Sequence, residues 1–246
     1  THVRGVTDRY VYLANKIARE ARRLRPDAEV VMYAYDEALM PPRFQKVEEN
    51  VLVGVVPTSL ELTEIESLFD GWRKAGARKF AMRPNYHTVV ATYILPTGIE
   101  KHMFDIFQVA YKASCRATDY DSLTSFRRPN GIMDYVLARS FMNPEKSFSE
   151  LESEYCDSFG NAAPEMRDYF RYWRENVFEK RIRPHLKEIL AAGKADNYNR
   201  GLCWNLGKYY SEKDFDEADA ILKKAAAIPN DPRSAERIRQ FIHQRF

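Results

Sequence analysis

Cysteine is scarce. The 246 residues hold three, Cys115, Cys156 and Cys203, spaced too far apart for a C-x-x-C pair, so neither a zinc knuckle nor a disulfide framework can be read from them. No window approaches the ~20 consecutive apolar residues of a membrane span, and no basic-then-apolar leader opens the chain. An excess of one charge is lacking too: 38 Lys and Arg face 35 Asp and Glu, a formal +3, which gives no electrostatic case for a nucleic-acid partner. There is no G-x-G-x-x-G, no Walker loop and no G-x-S-x-G, so dinucleotide, nucleotide and serine-hydrolase chemistry lack their mechanical parts. No cofactor is expected. His2, His87, His102, His185 and His243 include no two at metal-ligand spacing, so no metal is expected either.

What the chain has is aromatic rings: 15 Tyr, 14 Phe and 3 Trp, 13% of all residues. With 45% hydrophobic residues, disorder is excluded, and the rings must fill a core or line a site. At roughly 150 residues per domain the length allows one large domain or a medium one with an appendage. The first residue is Thr1 rather than Met, which reads as a chain cut from a longer or processed precursor.

From Asp8, the residues Tyr10, Leu13, Ala14, Ile17, Ala18, Ala21 and Leu24 recur every three and four positions, a helix that Thr7 or Asp8 would cap and Pro26 would stop. Residues 28–35 then read as a strand apolar on both faces, half of a βαβ unit. Pro41-Pro42 keeps the next connection free of helix, and residues 50–56 form a second strand. A helical stripe of Leu62, Ile65, Leu68, Phe69 and Trp72 leads to a strand at 78–82. Another, of Met103, Phe104, Phe107, Ala110 and Tyr111, leads to a strand at 115–120. Strands alternating with helices predict an α/β fold with a parallel sheet.

Beyond about Asp121 only helical spacing remains, at 131–142, 149–159, 163–190, 215–227 and 232–245. Asn143-Pro144, Gly160, Gly193 and Pro229 are the expected interruptions. The expected division is residues 1–129 and a helical region, 130–246. Phe69, Trp72, Phe104, Phe107, Phe141, Phe159, Phe170 and Trp173 sit on helical stripes and are expected in the core.

In a parallel α/β sheet ligands bind beyond the carboxyl ends of the strands. That rule selects Tyr33, Tyr35, Asp36 and Glu37, then Pro57, Thr58 and Ser59, then Arg83, Asn85, Tyr86 and His87, then Asp119, Tyr120 and Asp121. Rings for the apolar faces of pyranoses, with amides and carboxylates for hydroxyls, suit a sugar site. Asp119 and Asp121, two apart on a strand and ~7 Å along the chain, either flank one substrate oxygen or serve as a helix cap and a partner of Arg116 or Arg127. Arg83 either forms a structural ion pair or recognises a substrate carboxylate. Asp36 and Glu37 are either solvated or catalytic.

The string Thr7-Asp8-Arg9-Tyr10, Leu13-Ala14-Asn15, Arg25-Pro26-Asp27 and Tyr33-Ala34-Tyr35, followed by Pro41-Pro42 and Asn50-Val51, resembles a bacterial family long described as a domain of unknown function. The likeness continues through Trp72, Asn85-Tyr86, Leu95-Pro96, Leu137-Ala138-Arg139, Asn143-Pro144 and Phe159-Gly160-Asn161-Ala162-Ala163 to Tyr169, over about residues 7–175. That family is related to endo-acting β-N-acetylglucosaminidases and similar in layout to α-glucuronidases and other (β/α)8 barrels. The resemblance implies an extracytoplasmic glycoside hydrolase, with this chain as the C-terminal half of a (β/α)8 barrel followed by helices. It also implies an N-terminal half upstream, carrying an acid/base carboxylate. It departs at residues 117–121, where relatives tend to be Gly-rich with a Glu or Gln. On this expectation Asp119 and Asp121 are the catalytic candidates, and Tyr33, Tyr35, Arg83, Asn85, Tyr86, His87 and Tyr120 contact an oligosaccharide. The alternative is a non-catalytic glycan-binding or scaffold protein on the same barrel.

Overall fold

In the computed structural model, which describes residues 5–57, 61–84, 95–120, 127–195, 202 and 205–242, the first helix, α1, spans Val6–Leu24. Val11, Ala14 and Ala18 are its buried face. Its start differs from expectation: Gly5 is the N-cap, and neither Thr7 nor Asp8 caps it. Asp8, inside the first turn, faces a different set of amides and accepts N–H bonds from Arg43 (3.2 Å), Phe44 (2.8 Å) and Gln45 (2.8 Å). Burial pushes the Asp8 carboxyl up, but these bonds outweigh it and hold the carboxyl below its ordinary value. Further along the same helix, Asn15 donates to the Lys46 carbonyl at 2.7 Å and accepts from Glu48 N–H at 3.0 Å. α1 thus laces down the connection that follows the first strand.

Four strands form one parallel sheet in sequential order: β1 Val30–Ala34, β2 Val51–Val55, β3 Lys79–Met82 and β4 Cys115–Thr118. All four expected strands are present, each shorter than its sequence span. The β1–β2 connection holds only a 3-10 turn, Asp36–Ala38. It is fastened to helix α2, Leu62–Lys74, where Trp72 Nε1 donates to the Leu39 carbonyl at 2.9 Å. Helix α3 spans Glu100–Lys112. Its Tyr111, expected on the apolar face, is exposed, because it lies in the last turn of the helix, past the run of buried residues.

The register gives the sheet two unlike faces. Met32, Val53 and Phe80 align, as do Ala34, Val55 and Met82, and all six are buried. Phe69 of α2 meets Phe80 edge-on, with ring centroids 5.4 Å apart. The other face aligns Val31 with Leu52 and Lys79, and Tyr33 with Gly54 and Ala81, and it is considerably more exposed. Between β3 and β4 the register slips: Phe80 pairs with Cys115, but Ala81 pairs with Ala117, leaving Arg116 as a bulge.

By Cα proximity the chain divides into two compact units, residues 1–86 with 108–122, and residues 87–107 with 123–246. The second is helical: α4 Arg127–Met142, α5 Phe148–Cys156, α6 Ala163–Tyr172, α7 Leu186–Ala195, α8 Leu206–Tyr209, α9 Glu212–Ala227 and α10 Pro232–Ile242. The run expected to be helical from 163 to 190 changes its winding. A π-helical stretch, Trp173–Ile182, follows α6, and a 3-10 turn at Arg183–His185 precedes α7, where Pro184 has no N–H to give. Gly193 does not interrupt; it lies inside α7, where a glycine weakens a helix without ending it. Phe141, expected in the core, is exposed at the end of α4.

Inside this unit a buried ion cluster ties three segments together. Arg174 Nη1 lies 2.8 Å from both Glu100 Oε1 and Glu152 Oε1, with its guanidinium 5.0 Å from the centre of the Phe148 ring. Burial pushes the Glu100 carboxyl up, against the pull of Arg174. Gly98, at φ +67°, lies against the Trp173–Arg174 backbone, where a Cβ would come within 2.5 Å. Ser211 is the N-cap of α9 and Asp214, three residues on, closes a capping box with it, accepting from Ser211, Arg181 and Tyr172. These bonds outweigh its burial and bring its pKa to about 2.

Candidate functional site

The exposed sheet face becomes a site because β2 has a glycine in its middle. Tyr33 of β1 pairs with Gly54, and its ring lies so close that a Cβ on Gly54 would be 2.7 Å from Tyr33 Cδ1. A glycine inside a strand marks such an approach of another group. With no side chain on β2 in between, Arg83 extends across the sheet, its guanidinium carbon 5.9 Å from the Tyr33 ring centre, within cation–π range.

Arg83 and Asp119 stand one residue past the ends of β3 and β4, still held by the ladder. Arg83 N–H donates to the Val55 carbonyl and Asp119 N–H to the Met82 carbonyl, each at 2.9 Å. Their side chains meet: Arg83 Nε donates to Asp119 Oδ2 at 3.0 Å. The Arg83 side chain is 29% exposed and that of Asp119 62%, so the carboxylate keeps most of its access to solvent. The structure therefore brings together three residues selected from the sequence, Tyr33, Arg83 and Asp119, at the carboxyl ends of three strands. Arg116 is not the partner of Asp119. It reaches the amino end of the sheet and bonds Glu29 at 3.0 Å, beside a Lys79–Glu29 ion pair. The Lys79 bond leads in holding the Glu29 carboxyl below its ordinary value.

Tyr35 extends the exposed aromatic surface. Asp36 follows at φ +49°, a left-handed conformation that Asp tolerates better than most residues. With Glu37 they border a groove of about 510 Å³ between α1 and β1, also lined by Tyr10, Leu13 and Ile17. Tyr120 is not brought to this face: its hydroxyl is buried without a hydrogen-bond partner among the described residues, and burial raises its pKa far above the ordinary phenol range. Asn85, Tyr86, His87 and Asp121 lie outside the described residues, as do Thr58 and Ser59.

Sequence reasoning missed Gly54, Tyr10 and the Glu29–Lys79–Arg116 cluster. The signal for Gly54 was present, a lone glycine among β-branched residues; for the cluster there was none, since it depends on the bulge. Among the described residues no group of three or more His, Cys, Asp or Glu is placed to hold a metal ion, and no helix is long and apolar enough to cross a membrane.

The model of a family described as a domain of unknown function, DUF4838, covers residues 3–171. That is well over half of the chain, and the chain belongs to this family. No curated protein and no solved structure matches it.

Proposed function

We propose that this member of the family supplies the sugar-contacting strand ends of an extracytoplasmic glycoside hydrolase acting on complex glycans, β-N-acetylglucosaminide linkages among them. In this reading the four-stranded parallel sheet is the second half of a (β/α)8 barrel. The observation that carries the proposal is the Tyr33–Arg83–Asp119 arrangement at the carboxyl ends of β1, β3 and β4. An exposed ring offers a platform for the apolar face of a pyranose, and a guanidinium beside a carboxylate offers donors and acceptors for its hydroxyls. Glycoside hydrolysis needs two carboxyl groups, about 5–5.5 Å apart for retention or about 6.5–9.5 Å for inversion. Asp119 is one candidate, and the second comes from Asp121 or from the other half of the barrel.

The test is hydrolysis of a panel of complex glycans by the full-length protein, with Asp119→Asn, Asp121→Asn and Tyr33→Ala variants. Loss of turnover in a carboxylate variant and a raised KM in Tyr33→Ala support the proposal; full rate in all three sinks it. A second reading, a glycan-binding protein without turnover, is favoured by the Arg83–Asp119 ion pair, which occupies the carboxylate with positioning. Oligosaccharide affinity with no hydrolysis would select it.

A further inference from the structure

β4 carries one residue more than its neighbour needs. Cys115 pairs with Phe80 and Ala117 with Ala81, so Arg116 is the extra residue of a bulge. That residue decides which side chains the strand presents beyond it. With the bulge, Asp119 stands on the exposed face, where Arg83 Nε donates to its Oδ2 at 3.0 Å. Tyr120 turns under, and its hydroxyl is buried without a hydrogen-bond partner among the described residues. Without the bulge, Arg116 would pair with Ala81 and Ala117 with Met82, and Asp119 would turn under in place of Tyr120. The bulged register interrupts the ladder and leaves a buried phenol hydroxyl unsatisfied, and both cost free energy.

The offset comes from the amino end of the sheet. Arg116 Nη1 donates to Glu29 Oε1 at 3.0 Å, and the same oxygen takes the Lys79 ammonium. One carboxylate thus ties β3 and β4 to the residue that precedes β1. A lone surface ion pair contributes little, but a network of several charges does more, and the Lys79 and Glu29 side chains are only 22% and 36% exposed. A regular ladder would raise Arg116 by one step, about 3.3 Å, and draw its guanidinium away from Glu29. The ion pair therefore favours the bulged register. Bulges beside active sites re-aim a side chain, and the one re-aimed here is Asp119. We propose that Arg116 and Glu29 are positioning residues: their ion pair holds β4 in the bulged register, and that register presents Asp119 to Arg83 and to the site. The part played in turnover rests on the sugar reading; the control of register does not.

Residue-resolved amide hydrogen exchange tests it on Arg116→Ala, on Glu29→Gln and on a deletion of Arg116. The reporter is the Asp119 amide, which donates to the Met82 carbonyl at 2.9 Å; the reference is Val53 in β2, a strand paired on both sides. Each substitution is expected to speed exchange at Asp119 about tenfold or more and to leave Val53 as protected as in the native protein. The deletion removes the extra residue itself, so Ala117 still falls in register with Ala81 and Asp119 keeps its face without the ion pair. Native exchange at Asp119 is expected there. On the glycan panel the substitutions then lower kcat with KM little changed, and the deletion keeps its turnover. An unchanged Asp119 amide in either substitution overturns the proposal. So does a deletion as damaging as the substitutions, or an equal loss of protection at Val53, since either marks a pair that only stabilises the sheet. Absence of hydrolysis by the native protein sinks the sugar reading alone, and the exchange rates still decide the register.

Discussion

The Tyr33 ring sits where the side chain of Gly54 would be, 2.7 Å from the position of a Cβ. Tyr33 and Arg83 meet over that vacancy, because Arg83 reaches the ring only by crossing β2. Gly54→Val is therefore expected to displace the ring and lower glycan affinity about tenfold or more, some 1.4 kcal/mol. Valine suits a strand, so unfolding free energy should stay within about 1 kcal/mol of the native value. Titration calorimetry beside a urea melt separates the two; unchanged affinity with the ring displaced would remove Tyr33 from the site.

Asp8→Ala leaves the amides of Arg43, Phe44 and Gln45 without their acceptor in a partly buried place. The expected loss is about 2–3 kcal/mol, read from urea unfolding. Asp8→Asn keeps one acceptor oxygen and should lose less.

Asp214 carries an acid-sensitive share of stability. Its folded pKa, about 2, lies below its ordinary 3.8, so this contribution is present above the ordinary value and disappears as pH falls through about 2. Because its side chain is only 7% exposed, the shift corresponds to about 2 kcal/mol. Asp214→Asn should cost about that much at pH 7 and progressively less in acid, measured by denaturant melts across the range.

Glu100 has the opposite sign. Its pKa is raised in the fold by burial, so its contribution is complete below its ordinary 4.5 and is lost as pH rises through the folded value. Glu100→Gln should melt at or above the native protein at pH 8, and the difference should vanish below pH 4.5. Arg174→Met, by contrast, strands two buried carboxylates and should cost about 3–5 kcal/mol at neutral pH. A melt in which Glu100→Gln is as damaging as Arg174→Met would show that the attraction of Arg174 outweighs burial at Glu100.

The sheet was legible because its signals are local. Runs such as Val30-Val31-Met32 and Val51-Leu52-Val53 have one reading at their length, and Pro41-Pro42 left no helix between them. Tyr33, Arg83 and Asp119 followed from one rule about strand ends. The faces at β4 were not legible: strict alternation from Cys115 puts Asp119 under the sheet and Tyr120 on top, and the bulge at Arg116 reverses both. Spacing also does not distinguish α from π winding, which is why the stretch around Arg174 read as ordinary helix. Asp8 looked like a cap because caps are chosen by residue type and position, whereas its amides come from more than thirty residues away.

The wide winding of Trp173–Ile182 limits how the gene can change. Side chains there are swapped one at a time at local cost, but removing a single codon would change the winding and so the direction of the side chains after it. Arg181 would then leave Asp214, and the ion pair that supports the α9 capping box would be lost from a distance. Lineages of this family should therefore vary in spelling across this stretch and keep its length.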